Sequence, residues 1–276
     1  MSQVPTLKLN DGKLMPQLGF GLWQVPDNEA EAALQEAFAA GYRSVDGAKI
    51  YENEEGLGRA IKRSGLRRSE LFITTKLWNE DQGRDRAKSA FQESLRRLAL
   101  TYVDLYLIHW PSPSRDLYVD SWQTLIELRE QGLARSIGVS NFTIENLKRL
   151  KKETGVTPSV NQIELHPAFQ QRELRAYHQD HGIVTESWSP LGQGSLLKDP
   201  VLTKIGAKYK KSAAQVIIRW HLDQELVVIP KSVTPARIRE NFQVLDFKLD
   251  DSDLSAIAGL DRPNGRIGPD PHTATF

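Results

Sequence analysis

No cysteine occurs anywhere in this sequence. Disulfides and thiolate chemistry are thereby excluded, and a reducing compartment is permitted. A dominant charge is missing too. The 36 Lys and Arg stand against 35 Asp and Glu and are scattered among them, so nucleic acid is not an expected partner. No apolar run approaches the ~20 residues needed to cross a bilayer. The opening MSQVPTLKLNDGKLMPQLG lacks the basic start and apolar centre of a secretory signal. These absences point to a cytoplasmic protein with no membrane partner. Nor does a Pro/Ser-rich linker or a low-complexity tract divide the chain, so residues 1–276 read as one domain. Barrels of alternating strands and helices reach this length as a single unit. Hydrophobic residues make up 39% and charged residues 26%, the balance of a soluble globular protein.

What is present is a regular alternation. TLKLNDGKLMPQLG predicts two short strands joined at Asn10-Asp11-Gly12, an N-terminal hairpin. Eight strand-like runs follow: GFGLW, RSVDGA, LFITTKLW, VDLYLIHW, RSIGVSN, PSVNQIEL, IVTESWSPL and LVVIPKS. Between them lie stretches of helical spacing such as NEAEAALQEAFAAG, RDRAKSAFQESLRRLAL and SWQTLIELREQG. Gly41, Gly65, Gly132, Gly155 and Gly182 each fall where a helix should end and the next strand begin. Strands separated by helices pair in parallel with crossovers, and eight such units can close into a (β/α)8 barrel of α/β class. A doubly wound open sheet is the rival, but it would bring a G-x-G-x-x-G turn after its first strand, and GFGLWQ lacks the third glycine. DDSDLSAIAGL predicts an extra C-terminal helix, and NGRIGPDPHTATF an irregular tail.

In such barrels catalytic groups project from the C-terminal ends of the strands. Strand two ends at Asp46, with Tyr51 in the loop after it. Strand three ends near Lys76 and strand four near His109. Strand five ends in Ser140-Asn141, strand six carries Asn161 and Gln162, strand seven Trp188, and strand eight Lys231-Ser232. A lysine inside an apolar run is costly unless paired, and Asp46 on the neighbouring strand is the obvious partner. Taken singly, these residues read as a structural ion pair and a satisfied core histidine. Their placement on three consecutive strand ends, with a tyrosine nearby, reads as a site. A tyrosine with an unperturbed pKa near ~10 is a poor proton donor at neutral pH. An adjacent ammonium is expected to lower it, a carboxylate behind the lysine to keep that ammonium charged, and a histidine to hydrogen-bond the same substrate oxygen. The set suits protonation of a carbonyl oxygen as hydride arrives at carbon. The six histidines are not grouped at ligand spacing, and no metal is expected.

Over essentially its whole length the chain resembles the aldo-keto reductases, in particular the bacterial 2,5-diketo-D-gluconate reductases. The resemblance rests on MPQLGFG, ENEEGLG, LFITTKLWN, DLYLIHWP, SIGVSNF, NQIELHP, ESWSPLGQG and VVIPKSVTPARIRENF, in that order. It implies a (β/α)8 barrel, NADPH/NADP+ as cofactor, reversible carbonyl reduction and a monomer. The family's catalytic tetrad falls on Asp46, Tyr51, Lys76 and His109. By the same carry-over Ser140, Asn141 and Gln162 hold the nicotinamide carboxamide and Trp188 lies against the ring. Leu191 and Gln193 cover the pyrophosphate, Lys231, Ser232 and Arg237 grip the 2′-phosphate, and Glu240 and Asn241 lie near the adenine. Trp23, Trp78 and Trp110 end strands one, three and four and, with His109, are expected at the substrate mouth. Phe20 and Trp122 are read as packing residues.

The family's commoner pattern is D-T-A-x-x-Y, where this chain has Asp46-Gly47-Ala48-Lys49-Ile50-Tyr51. The spacing from Asp to Tyr is kept. Gly47 removes a side chain beside the aspartate. Lys49 is either a solvated charge or a feature favouring acidic substrates. Three functional classes follow. The first is an NADPH-dependent reductase of small aldehydes, ketones and dicarbonyls. The second is a cofactor-binding sensor with little turnover, whose mark would be a lost tetrad residue. The third is a barrel enzyme without nicotinamide, whose mark would be a glycine-rich phosphate grip after strands seven and eight, which GQGS fits only in part.

Overall fold

A computed structural model describes residues 4–274 and 276. Strands β1 (Thr6–Lys8) and β2 (Leu14–Pro16) pair antiparallel with Leu7 opposite Met15. The turn between them is closed by Leu9 N–H to Lys13 O at 2.8 Å and Gly12 N–H to Leu9 O at 2.9 Å. Eight parallel strands follow: β3 (Phe20–Gly21), β4 (Ser44–Asp46), β5 (Phe72–Leu77), β6 (Val103–Ile108), β7 (Ala134–Ser140), β8 (Val160–Glu164), β9 (Val184–Trp188) and β10 (Val227–Val228), each paired with the next. The circle closes between its ends. Leu18 bridges Val228, Gly19 N–H donates to Val228 O at 2.9 Å, and Val228 N–H donates to Gln17 O at 2.8 Å. No sheet edge is left for another chain to extend at that seam.

Among the described residues ten helices surround the sheet: α1 (Asp27–Ala40), α2 (Glu54–Arg63), α3 (Arg84–Leu98), α4 (Tyr118–Glu130), α5 (Ile144–Thr154), α6 (Arg172–Asp180), α7 (Pro200–Tyr209), α8 (Ala213–Asp223), α9 (Pro235–Phe242) and α10 (Asp251–Ala258). The five glycines expected at helix ends all have positive φ. At Gly155, φ 73° lets the chain leave α5 while its N–H still reaches Lys151 O, a turn that a Cβ would strain. The extra helix is α10, and beyond Ala258 the described tail forms neither helix nor strand.

Strand alternation sorts the side chains into two layers. Ile73, Leu77, Tyr106, Ile108, Ile137 and Val139 face the helices and join the large outer core, where Phe20 and Trp122 are also buried. On the opposite face Phe72, Leu105, Leu107, Val160 and Val227 meet inside the barrel, together with Leu9 and Met15 of the hairpin. The hairpin is the floor. Further along the same inward faces the residues become polar: Asp46, Lys76, His109, Gln162 and Glu186. Apolar packing therefore fills the N-terminal end of the barrel and a charged cluster occupies the C-terminal end.

Candidate active site

Asp46 and Lys76 meet at the end of adjacent strands, with Lys76 Nζ 2.5 Å from Asp46 Oδ1 and 3.0 Å from Gly47 O. Lys76 is fully buried. Burial, the largest single influence, works against its charge, but Asp46 together with Tyr51 and Glu186 holds the ammonium above the usual lysine range. Tyr51 closes a 3-10 turn over Lys49–Tyr51, with its ring centroid 5.1 Å from the ammonium and 5.7 Å from the ring of His109. Neither ring nitrogen of His109 bonds a described residue, and Nδ1 is buried. Burial, assisted by Lys76, pushes this imidazole well below its usual range, so it is neutral and has an N–H to donate.

The Tyr51 phenol departs from expectation. Burial raises it above free tyrosine, and Lys76, the next largest influence, pulls it only part of the way back, while Asp46 and Glu186 push it up. The ammonium thus has the expected sign, but depth in the barrel outweighs it.

Around this cluster the expected nicotinamide holders are bonded to one another. Ser140 Oγ donates to Gln162 O at 2.8 Å. Asn141, at φ 63°, donates through Nδ2 to His109 O at 3.0 Å and to Ser140 Oγ at 3.1 Å. Its Oδ1 accepts the indole N–H of Trp188 at 2.8 Å. Gln162 Nε2 lies 2.8 Å from Asp46 Oδ2 and 2.9 Å from Glu186 Oε2, while its Oε1 has no donor among the described residues. Asn161, one position earlier, faces the other way and bonds Phe142 O and His178 Nε2, both at 2.9 Å. It belongs to the packing behind the site.

The loops after β9 and β10 carry the remaining expected contacts. Leu191 is half-buried, and Gln193 is exposed at φ 51° in the turn Gly192–Gly194. Ser232 is buried and its Oγ accepts Thr234 N–H at 3.1 Å just before α9. Lys231 and Arg237 are exposed and make no ion pair with a described residue, although Arg239 next along α9 pairs with Glu36. Two uncommitted cations beside the N-terminus of α9 suit a phosphate dianion. Glu240 is half-buried and Asn241 buried on the same helix.

Residues 17–262 match the Aldo/keto reductase family. The chain belongs to the aldo/keto reductase family. It is 56% identical over 273 residues to "Methylglyoxal reductase DkgA" of Yersinia pestis, covering 98% of each chain. Among solved structures, an aldo/keto reductase from Brucella melitensis is 56% identical with a TM-score of 0.91, covering 94% of this chain and all of that one. A variant of Gox0644 in complex with NADPH is 50% identical with a TM-score of 0.96, and both chains are covered in full.

Two of the three tryptophans expected at the substrate mouth of this aldo-keto reductase join an aromatic group beside His109. Trp23 is exposed, Trp78 half-buried, and Trp110 buried at 7%. Trp78 stands edge-on to His109 at 5.2 Å. Part of the cover over these rings comes from a residue outside the expected set. The Phe276 ring stacks on Trp78 at 5.8 Å and meets Trp110 edge-on at 5.1 Å, while Asn79 Nδ2 donates to its carbonyl at 2.8 Å. The tail is pinned earlier as well, since Glu164 accepts the N–H groups of Ile267 and Gly268 at 2.7 and 2.8 Å. Lys49 is ion-paired with Asp81 rather than standing free. Glu186 also lay outside the expected set, although strand parity pointed to it: it lies two residues before Trp188 on the same face and registers with Gln162.

Proposed function

We propose that this chain is an NADPH-dependent reductase of small aldehydes, ketones and dicarbonyls, methylglyoxal and 2,5-diketo-D-gluconate among them, with Tyr51 as proton donor. The observation that carries the reading is one cluster of a phenol, a charged ammonium, a carboxylate and a neutral imidazole, open to an aromatic mouth. The residues also suit the cofactor. Gln162 Oε1 lacks a protein donor among the described residues, and Lys231 and Arg237 lack a carboxylate partner among them. NADPH, when bound, would supply the hydride. The identity to a methylglyoxal reductase and to a protein solved with NADPH supports both halves.

The protein's own part is proton handling and orientation. A carbonyl oxygen held between Tyr51 and the N–H of His109 is polarised by two donors. As charge builds on that oxygen, Tyr51 gives up its proton, and the phenolate left behind faces Lys76, whose charge Asp46 maintains. Asp46 and Lys76 do not touch the substrate in this scheme. Trp23, Trp78 and Trp110 exclude water from the reacting end, and Ser140, Asn141 and Gln162 present the nicotinamide carboxamide with partners. The same reading takes the whole chain as one barrel domain acting as a cytoplasmic monomer, as the family resemblance implies.

The test is NADPH oxidation with methylglyoxal and a dicarbonyl panel, in wild type and Tyr51→Phe. Wild type should turn over, and the variant should lose ~10²–10⁴-fold in rate while still binding NADPH. Undiminished turnover in Tyr51→Phe would overturn the assignment of the donor, and wild-type inertness toward the whole panel would overturn the substrate class.

A further inference from the structure

Glu186 is a carboxylic acid inside the barrel, 1% exposed, that the proposed chemistry does not use. Its Oε2 lies 2.9 Å from Gln162 Nε2, and that same nitrogen lies 2.8 Å from Asp46 Oδ2. We propose that Glu186 is a positioning residue: through the shared amide of Gln162 it fixes which end of that amide faces the cofactor pocket and keeps the Tyr51 phenol in its proton-donating form. The inference rests on the reading of Tyr51 as donor.

The amide comes first. A primary amide nitrogen has two hydrogens, and here two acid groups take one each. Turning the amide over would set its oxygen against the Asp46 carboxylate and leave Glu186 without the N–H it now accepts. Gln162 is therefore held with Oε1 free, the acceptor a nicotinamide carboxamide N–H requires. Without Glu186, one hydrogen is unpaired and the orientation rests on Asp46 alone.

The charge comes second. The groups facing Glu186 are Asp46 from β4, Tyr51 from the turn after it, Lys76 from β5 and Gln162 from β8, while its registered neighbour on β10 is the apolar Val227. Lys76 and Asp46 already balance. A further carboxylate would be unbalanced, and burial with the Asp46 charge pushes Glu186 up to about 8, against the opposing pulls of Gln162 and Lys76. Below that pH Glu186 is neutral. When it does ionise, its new negative charge raises Tyr51 in turn, so the phenol resists deprotonation as the solution becomes alkaline. The pair behaves as a buffer with macroscopic steps shared between its members.

Glu186→Gln keeps the shape and an acceptor oxygen for Gln162 but can carry no charge. Its alkaline limb for methylglyoxal reduction should lie lower than in wild type, with NADPH affinity, read by fluorescence titration, kept within roughly twofold. Glu186→Ala removes the acceptor as well, and its NADPH affinity should fall by roughly fivefold, the worth of an ordinary hydrogen bond. Independently of activity, infrared difference spectra of wild type between neutral and alkaline pH should lose a protonated-carboxyl band that is missing from Glu186→Gln. An unmoved alkaline limb in Glu186→Gln, or a wild-type carboxyl already ionised at neutral pH, would overturn the inference. Should Tyr51→Phe stay fully active, the donor assignment fails. Should Tyr51→Phe be inactive while Glu186→Gln matches wild type, only the role of Glu186 fails.

Discussion

Lys76 Nζ lies 2.5 Å from Asp46 Oδ1, a charge pair that water scarcely reaches. Removing one member leaves the other buried and uncompensated, at a cost of ~3–5 kcal/mol. Asp46→Ala should therefore destabilise more than Lys76→Met, because Asp46 retains Gln162 whereas Lys76 retains only the Gly47 carbonyl. Urea denaturation of the two variants checks the order, and equal losses would contradict it.

The two lysines beside the reacting end should separate cleanly by pH. Lys76 pulls the Tyr51 phenol down, so Lys76→Met should move the alkaline limb of the residual alcohol oxidation to higher pH. Lys49 is tied to Asp81, and Lys49→Met should leave that limb nearly in place. A limb that follows Lys49 and ignores Lys76 would show that the wrong lysine had been chosen.

Arg237 stands on α9 without an ion-pair partner among the described residues. A hydrogen bond to a charged group is worth ~1.5–3 kcal/mol. Arg237→Ala should then weaken NADPH binding by roughly tenfold to a hundredfold and leave NADH nearly unchanged. Calorimetric titration with both nucleotides decides it, and equal losses would remove the phosphate from the explanation.

Acid should loosen the fold through two buried histidines outside the reacting cluster. Burial lowers His178 to about 3 and His221 to about 4. The unfolded chain takes up these protons near pH ~6.5 and the folded one resists them, so stability is full above ~6.5 and falls as pH drops toward those lower values. The slope is about 1.4 kcal/mol per pH unit for each histidine. His178→Gln should remove one histidine's share of it, about 1.4 kcal/mol per pH unit, in denaturation series run from neutral to mildly acidic pH. An unchanged slope would exclude His178 as a contributor.

A Cβ on Gly47 would meet Leu57 at 3.5 Å and Thr74 O at 3.6 Å, ordinary contacts, and the backbone there is not left-handed. Gly47→Ala should raise stability by ~0.4–1 kcal/mol by restricting the unfolded chain. Thermal unfolding measures it, and a lower Tm would mean that the loop needs the freedom glycine gives.

The barrel and its polar end were legible because both follow from local periodicity. Gly155 and its counterparts marked the helix ends, and the position of Lys76 and His109 at the C-terminal ends of their strands marked the polar end. The rest depended on contacts that periodicity does not encode. Glu186 is one polar residue among several in IVTESWSPL, and only the fold sets it beside Gln162. Asn161 lies next to Gln162 within β8 but faces outward, which parity decides and proximity in sequence does not. The latch between Glu164 and Ile267 spans 103 positions, and with Phe276 on Trp78 it turns an irregular tail into part of the mouth. The phenol of Tyr51 sits above its free value because of depth, a property no motif reports.

The family match begins at residue 17, one position past the hairpin whose Leu9 and Met15 pack against Leu105, Leu107, Val160 and Val227. A boundary drawn by likeness alone would cut away the segment that seals the barrel from beneath. Water could then enter behind Lys76 and Asp46 and weaken the low-dielectric setting that holds Tyr51 above free tyrosine. A hairpin without a reactive side chain thus decides which end of the barrel stays dry.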